Sequence, residues 1–182
     1  AECSADSSKF IVERIFEVSR EGELARYNGC KLDNQRLLFH GTKTSNLMGI
    51  LSRGLLTLPF EAHWTGRAHG NGIYFSDSFN KSFAYSHGFN PKSKKKFVLI
   101  CQVKLGEIQK CNYNTELKKD HGTVMYWGSD VPNPKYEVTL PNGVVIPLGK
   151  ISNTSGYRGD DYNEYVVPKE EQVLIKYLVQ LR

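Results

Sequence analysis

The chain has 182 residues, of which 40% are hydrophobic and 24% charged, and this length and composition indicate one globular domain and exclude disordered and collagen-like classes. Lysine and arginine exceed aspartate and glutamate by 24 to 19, a net charge of +5 that favours phosphate-bearing partners without identifying one. No run approaches the roughly 20 apolar residues of a membrane-spanning helix, and the first residues, AECSADSSKF, lack the blocks of a signal peptide.

The amino-terminal part predicts a strand, a short helix and a second strand. Apolar and charged residues mix over 10–18, which we interpret as a strand, and good helix formers follow over 21–27. The short apolar run 36–39 then predicts a strand that ends at His40-Gly41.

The next segment, 44–53, predicts a helix. Leu47, Ile50 and Leu51 fall on one helical face, and Gly54 follows at the position where helices commonly end. We therefore expect a capped helix after the His40 turn.

A loop rich in glycine and containing a proline is predicted over 58–71, followed by a compact strand over 72–75. The serines within 76–78 are typical of a helix start, and they predict a helix that runs to Tyr85. A strand, a turn and a short helix thus follow the loop.

The carboxyl-terminal half predicts mostly strands. Val, Ile and Phe dominate 97–103, and 138–148 is broken at 141–143 by Pro-Asn-Gly into a hairpin. The last predicted strands are 162–167 and 173–181. Many strands, few helices and no regular alternation favour an α+β or mostly β domain over a doubly wound parallel sheet.

The four cysteines form no Cys-x-x-Cys pair and no zinc-ligand cluster with the five histidines, so no metal site is predicted and a reducing compartment is expected. Dinucleotide-binding, P-loop, zinc-protease and esterase motifs are also absent from the sequence. What remains is a set of polar or aromatic residues beside short apolar strands, namely His40, Tyr74, Ser82, Tyr85 and Glu164.

Each of these residues alone has an ordinary structural explanation. His40 fits a hydrogen-bonded turn histidine, Ser82 a helix-surface serine, and the two tyrosines core aromatics with hydroxyls at the surface. Glu164 lies in the strand-like run YNEYVV, where an unpaired carboxylate would cost several kcal/mol if buried. Glu164 therefore either points to solvent or has a functional role.

Three segments in order, LLFHGT, GNGIYFSDSFNKSFAYS and YNEYVVPKEEQVLIKYLVQL, resemble the His-Tyr-Glu signature of the poly(ADP-ribose) polymerase catalytic domain. The resemblance extends over about 10–181 and includes REGELARY. It implies an ADP-ribosyltransferase fold, α+β, with two packed mainly antiparallel β-sheets and short flanking helices around an NAD cleft. We expect one catalytic domain over 1–182, without the helical regulatory subdomain of larger family members.

The resemblance implies that NAD is consumed as a substrate, so no cofactor is expected. His40, Tyr74 and Glu164 correspond to the catalytic signature, and Lys81 to a position on the acceptor side. The residues that would bind NAD are His40, Gly41, Thr42, Asn46, Tyr74, Ser82 and Tyr85.

The implied roles divide the site into two ends. Gly41 and Ser82 would hold the nicotinamide carboxamide, with Tyr85 stacked on its ring and Tyr74 closing the other side. His40, assisted by Thr42, would bind the adenine-side ribose, and Asn46 would lie near the adenosine. The carboxylate of Glu164 would stabilise the charge that develops on the other ribose as nicotinamide leaves.

The predicted function is transfer of ADP-ribose to protein acceptors, including the enzyme itself, and extension of poly(ADP-ribose) chains in the nucleus. Neither membrane association nor direct DNA binding by this domain is expected. Two alternatives stay open: a mono-ADP-ribosyltransferase with the same NAD site, and a non-enzymatic domain that binds nucleic acid through basic residues such as the lysines within 92–96.

Overall fold

The computed structural model describes residues 10–57, 71–86, 95–110, 124–126, 130–132, 134–148, 151–153 and 163–182. Its strands in chain order are β1 Val12–Glu17, β2 Gln35–Gly41, β3 Ile73–Phe75, β4 Lys96–Lys104, β5 Ile108–Lys110, β6 Val124–Tyr126, β7 Asp130–Pro132, β8 Val138–Thr139, β9 Val145–Ile146, β10 Ile151–Asn153, β11 Tyr165–Val167 and β12 Val173–Leu181. The α-helices are α1 Glu23–Gly29, α2 Leu47–Arg53 and α3 Phe79–Ala84.

Six strands form the main sheet, in the order β1-β12-β4-β2-β9-β8. Neighbouring strands are antiparallel, except that β2 pairs with β9 in parallel through Arg36 and Val145. The long central strands β4 and β12 carry the Val- and Ile-rich segments, whose side chains suit the buried pleated surface at the middle of a sheet. The predicted α+β class with mainly antiparallel pairing is therefore confirmed.

The remaining strands form three two-stranded sheets, β11-β3, β10-β7 and β5-β6. β3 and β11 are antiparallel, with Tyr74 opposite Val166. An isolated bridge between Phe39 and Ser76 connects this small sheet to β2. The predicted hairpin over 138–148 is also confirmed, because Val138 pairs with Ile146 across the turn.

The core lies between the main sheet, the β3-β11 sheet and α2. Its fully buried side chains include Leu38, Leu99, Val103, Val167 and Ile175. These residues come from four different strands of the two sheets, so burial of their apolar surface, at about 25 cal/mol per Å², fixes the position of β3 and β11 against the main sheet.

Helix α2 confirms the prediction made from its apolar face. Leu47 is buried, and Ile50 and Leu51 pack against the core. A 3₁₀ turn, Thr44–Asn46, precedes the helix, so the α-helix begins three residues later than the predicted segment. Gly54 follows with φ 90°, a conformation that favours glycine.

Arg20 connects the REGELARY segment to the end of α2. Its Nε donates to Leu51 O over 3.1 Å and its Nη2 to Ser52 O over 3.0 Å, so it caps carbonyls that a helix end leaves without partners. Its Nη1 forms an ion pair of 3.0 Å with the buried Glu23 at the start of α1. This contact fixes α1 relative to α2.

Several predictions concern residues outside the described ranges, namely most of the loop 58–71, the lysines of 92–94, Cys3 and Cys111. Cys30 and Cys101 are buried free thiols. Among the residues with described positions, none of the helices is long and apolar enough to cross a bilayer. No group of three or more His, Cys, Asp and Glu side chains in the same ranges is arranged to hold a metal ion.

Candidate functional site

The three segments that carry the signature residues meet at Ser76. Its backbone exchanges two hydrogen bonds with Phe39, of 2.8 Å and 3.0 Å, and its Oγ donates to Asn163 O over 2.7 Å. Because Phe39 precedes His40 and Asn163 precedes Glu164, this junction brings both signature residues to the same end of the β-structure.

Gly41 lies at the end of β2, directly against the backbone of Ser82 in α3. A Cβ atom built on Gly41 would lie 1.6 Å from Ser82 O and 2.5 Å from Ser82 C. No side chain fits at this distance, so glycine is required here by close backbone approach. The structure thus brings together the two residues that the resemblance assigns to the nicotinamide carboxamide.

An aromatic cluster holds α3 in this position. Phe79 and Phe83, one helical turn apart, have ring centroids 5.6 Å from each other, and Phe79 contacts Phe39 of β2 at 5.8 Å. At the far end of the helix, Ser86 Oγ donates to Phe97 O over 2.7 Å. Both ends of α3 are therefore attached to the main sheet.

Helix α3 begins where the serines predict, but the hydrogen bond that forms there is not a side-chain N-cap. Ser78 is the N-cap residue, yet its side chain makes no capping hydrogen bond. Instead the backbone N–H of Ser78 donates to Ser76 Oγ over 3.1 Å. Ser78 therefore occupies the N-cap position without side-chain capping, and the Ser76 hydroxyl orders the turn that leads into the helix.

Glu164 forms an ion pair with Lys81 of α3. Lys81 Nζ lies 2.7 Å from Glu164 Oε1, and the two side chains are only 25% and 20% exposed. Glu164 immediately precedes β11, whose pairing with β3 places Val166 opposite Tyr74. The carboxylate is thus partly buried and paired, rather than directed freely into solvent.

His40 contacts the middle residue of β3. Its Nδ1 lies 2.7 Å from Tyr74 O, and because a carbonyl oxygen only accepts, Nδ1 carries the proton of this hydrogen bond. Burial lowers the pKa of His40, so the neutral ring is favoured at physiological pH. Nε2 then keeps a lone pair that can accept a hydrogen bond from a hydroxyl group.

The remaining predicted residues surround this centre. Asn46 Nδ2 donates to Thr42 Oγ1 over 3.1 Å, so the two residues assigned to the adenosine side contact each other. Tyr85 follows α3 and is 38% exposed, while Ser82 is buried and Tyr74 half-buried. The roles that the resemblance implies for these side chains stay predictions.

A buried polar network that was not predicted from the sequence lies behind Glu164. Asn163 Nδ2 and the Tyr165 hydroxyl each donate to Asp77 Oδ2 over 2.8 Å. Burial raises the pKa of Asp77 to about 6, although both hydrogen bonds oppose the shift. A signal was present in the sequence, since Asp77 stands inside the apolar and serine-rich run IYFSDS, where a carboxylate is unexpected.

The raised pKa of Asp77 predicts a specific pH dependence of stability. An Asp whose pKa is about 6 in the folded state and 3.8 in the unfolded state contributes stability that is fully present below pH 3.8 and is lost as pH rises through 6. At 1.36 kcal/mol per unit, the loss amounts to about 3 kcal/mol. In Asp77→Asn this contribution should disappear.

Urea unfolding of both proteins between pH 4 and pH 8 measures the effect. The free energy of unfolding of the wild type minus that of Asp77→Asn should fall as pH rises, because other titrating groups cancel in this difference. A difference that stays constant over the whole range would contradict the buried, desolvated state of Asp77.

The family model of the poly(ADP-ribose) polymerase catalytic domain matches residues 2–182 of the chain. The chain is 43% identical to poly [ADP-ribose] polymerase 1 of Danio rerio over 179 residues, which cover 94% of its length. It is 40% identical over 172 residues to poly [ADP-ribose] polymerase of Sarcophaga peregrina, and 36% identical over 177 residues to poly [ADP-ribose] polymerase 2 of Arabidopsis thaliana. These matches cover 92% and 94% of the chain, respectively.

The chain spans 17% of the length of the Danio rerio and Sarcophaga peregrina relatives, and 28% of the Arabidopsis thaliana relative. Its single-domain organisation therefore stays a prediction. Because the family model extends over nearly the whole chain, and the signature residues lie together in the α+β structure, the chain belongs to the poly(ADP-ribose) polymerase catalytic domain family.

Proposed function

We propose that the chain transfers ADP-ribose from NAD to protein acceptors, with release of nicotinamide, and that it extends poly(ADP-ribose) chains. One observation carries the proposal: two adjacent residues of α3 contact the nicotinamide end of the candidate site and its catalytic carboxylate. Ser82 lies against Gly41, and Lys81 forms an ion pair with Glu164. A residue pair of this kind suits an enzyme that must hold nicotinamide close to the carboxylate that assists its departure.

The nicotinamide end requires a donor and an acceptor for the carboxamide, as well as a flat surface for the ring. Gly41 supplies backbone groups, Ser82 a hydroxyl, and Tyr85 a partly exposed ring for stacking. Tyr74 is half-buried in β3 and closes the other side. The close approach of Gly41 to Ser82 supports this assignment.

The adenosine end uses neutral donors and acceptors. With Nδ1 of His40 occupied by Tyr74 O, its Nε2 is the ring atom that accepts a hydrogen bond from a ribose hydroxyl. Thr42 and Asn46 contact each other beside it and offer further hydrogen-bonding groups. A neutral ring is compatible with this role over a wide pH range.

At the reacting end, the bond between ribose and nicotinamide breaks, and nicotinamide leaves with the electron pair. Positive charge develops on the ribose, as in glycoside hydrolysis. Glu164 stabilises this charge through a hydrogen bond from the ribose 2′-hydroxyl, and it accepts the proton of the incoming nucleophile as the new bond forms. Lys81 orients the carboxylate and lies on the acceptor side.

The acceptors that we propose are proteins, the enzyme itself and growing poly(ADP-ribose), with NAD consumed as a substrate and no bound cofactor. An intracellular, nuclear location is part of the proposal, and the buried free thiols of Cys30 and Cys101 suit a reducing compartment. A fluorescent fusion of the full-length protein tests the location, and exclusion of the fusion from the nucleus would contradict it.

Incubation with labelled NAD tests the function directly. A ladder of labelled products is expected, because Glu164 is the residue that the family uses where chains are extended. A single band shift would instead indicate the mono-ADP-ribosyltransferase, and absence of label would favour the non-enzymatic nucleic-acid-binding domain. Treatment of the labelled product with a poly(ADP-ribose)-specific hydrolase separates a true polymer from several single modifications.

Ser82→Ala and Tyr85→Ala test the nicotinamide end separately from the chemistry. Loss of the Ser82 hydroxyl removes a hydrogen bond, and loss of the Tyr85 ring removes a stacking surface, so each variant should weaken binding of a benzamide-type ligand by roughly 1 kcal/mol or more. Isothermal titration calorimetry and the ligand-induced thermal shift measure the change.

Ser52→Ala and Tyr136→Ala are the matched controls, since both residues are exposed and lie outside the site. They should retain the wild-type affinity for the ligand. If Ser82→Ala and Tyr85→Ala also retain it, these residues do not form the nicotinamide pocket.

A further inference from the structure

Asp77 has no part in the mechanism above, yet it is 4% exposed and accepts two hydrogen bonds at a single carboxyl oxygen. A carboxylate buried to this extent is costly unless hydrogen bonds or an opposite charge compensate for the lost solvation. The two donors are the side chains of Asn163 and Tyr165, the residues that flank Glu164 in the chain.

This arrangement determines the direction of the Glu164 side chain. In extended backbone, residues i and i+2 point to one side and the residue between them to the other. Since the side chains of Asn163 and Tyr165 both reach Asp77 Oδ2, Glu164 points to the opposite side, where it meets Lys81. One carboxyl oxygen thus holds both neighbours of the proposed catalytic carboxylate.

A second contact fixes the backbone at the same place. Ser76 Oγ donates to Asn163 O over 2.7 Å, so Asn163 is held by its carbonyl and by its side-chain amide. Ser76 and Asp77 are adjacent, and their contacts therefore hold the start of β11 to the end of β3. The position of Glu164 depends on this short segment rather than on its own hydrogen bonds alone.

The electrostatic surroundings of Asp77 come from several elements. Arg36 of β2 favours its ionised form, although that guanidinium is also paired with Glu137 over 2.7 Å. Ser76 and Ser78 flank Asp77 on its own segment. Burial raises the pKa of Tyr165, so the tyrosine hydroxyl keeps its proton and remains a donor.

We propose that Asp77 is a positioning residue for Glu164: by accepting hydrogen bonds from Asn163 and Tyr165, its carboxylate directs Glu164 toward the reacting ribose. The inference rests on the proposed function for its effect on turnover. Its structural part, the dependence of Asn163 and Glu164 on the charge of Asp77, does not rest on that function.

Asp77→Asn is the decisive variant because the amide keeps an oxygen that can accept from both donors but removes the charge. Asp77 Oδ1 is buried and has no hydrogen-bond partner within the described part of the chain. Protonation there, like the amide, removes the charge and turns the charge-assisted hydrogen bonds at Oδ2 into weaker neutral ones. The wild type at low pH should therefore resemble Asp77→Asn.

Nicotinamide release is measured for both proteins from pH 5 to pH 8. At pH 8, kcat of Asp77→Asn should be several-fold below the wild type while KM for NAD changes less than about twofold, and the ratio of the two kcat values should approach one below pH 6. Asp77→Ala should lose on the order of 10- to 100-fold in kcat, as expected when a catalytic group is misplaced by about 1 Å. Partial rescue by Asn separates positioning from a merely structural role.

Tyr165→Phe, which removes one donor, should lower kcat less than Asp77→Ala. Tyr177→Phe removes a hydroxyl from β12 outside the site and serves as the control, with kcat unchanged. Wild-type kcat in Asp77→Asn at pH 8 would overturn the proposal, even if Asp77→Ala fails to fold. A kcat ratio that is the same at every pH would also overturn it.

An NMR titration, which does not depend on catalytic activity, distinguishes this inference from the proposed function. In ¹⁵N-labelled wild-type protein, the Asn163 side-chain amide and the Glu164 backbone amide should shift with a midpoint near pH 6, and the shift should vanish in Asp77→Asn. If these signals do not titrate, the positioning link is wrong whatever the activity. If they titrate in a wild-type protein that releases no nicotinamide, the proposed function alone fails.

Discussion

Glu164→Gln is expected to reduce ADP-ribose transfer on the order of 100- to 1000-fold, with little change in NAD affinity. Glutamine has the shape of glutamate and its Oε1 can still accept a hydrogen bond from Lys81, so the local structure should persist. What the variant loses is the negative charge that stabilises the ribose as nicotinamide departs. An interaction that strengthens in the transition state lowers kcat when it is removed, rather than raising KM.

Initial rates of nicotinamide release give kcat, and calorimetric titration with a non-hydrolysable NAD analogue gives the affinity. Glu171→Gln provides the matched control, because Glu171 is an exposed carboxylate in the 3₁₀ helix Glu170–Gln172, and its rate should equal that of the wild type. Near-normal transfer by a folded Glu164→Gln protein would refute the assignment of Glu164.

The strands in the carboxyl-terminal half of the chain show how much of the fold local sequence patterns can predict. The predicted strand 97–103 corresponds to β4, Lys96–Lys104, and the predicted 173–181 corresponds to β12, Val173–Leu181. Both segments are rich in Val, Ile and Leu, whose branched and apolar side chains favour buried strands wherever they occur. The short strands β5, β6, β7 and β10, each of three residues, carry no comparable signal and were not predicted.

The site residues likewise divide into those that short sequence motifs identify and those that only the folded structure identifies. The resemblance identified Gly41, Ser82 and Glu164 because short motifs surround them. The contact between Asp77 and Asn163 joins residues 86 positions apart, and it depends on the register of β11 against β3. A one-residue slip of that register would turn every side chain of β11 to the other face. Local patterns do not specify such a register, so the network was visible only in three dimensions.

Gly41→Ala is expected to abolish detectable binding of benzamide-type ligands and to destabilise the fold. The new Cβ would lie 1.6 Å from Ser82 O, 2.5 Å from Ser82 C and 3.0 Å from Ser82 Cα, and all three are backbone or Cα atoms that no rotamer change can move away. The end of β2 and α3 must therefore separate. Forced repacking of this kind typically costs about 1 to 3 kcal/mol.

Gly49→Ala is the matched control for Gly41→Ala, because it makes the same chemical change within α2. Its Cβ would meet only the flexible Arg53 Nη2, at the ordinary contact distance of 3.6 Å, and alanine favours a helix by up to about 1 kcal/mol over glycine. Gly49→Ala should therefore equal or exceed the wild type in stability and bind the ligand normally.

Since α3 carries both Ser82 and Lys81, its displacement in Gly41→Ala should disturb the nicotinamide end and the Glu164 ion pair together. Retention of ligand affinity by a folded Gly41→Ala protein would show that the contact between β2 and α3 is not what forms the pocket.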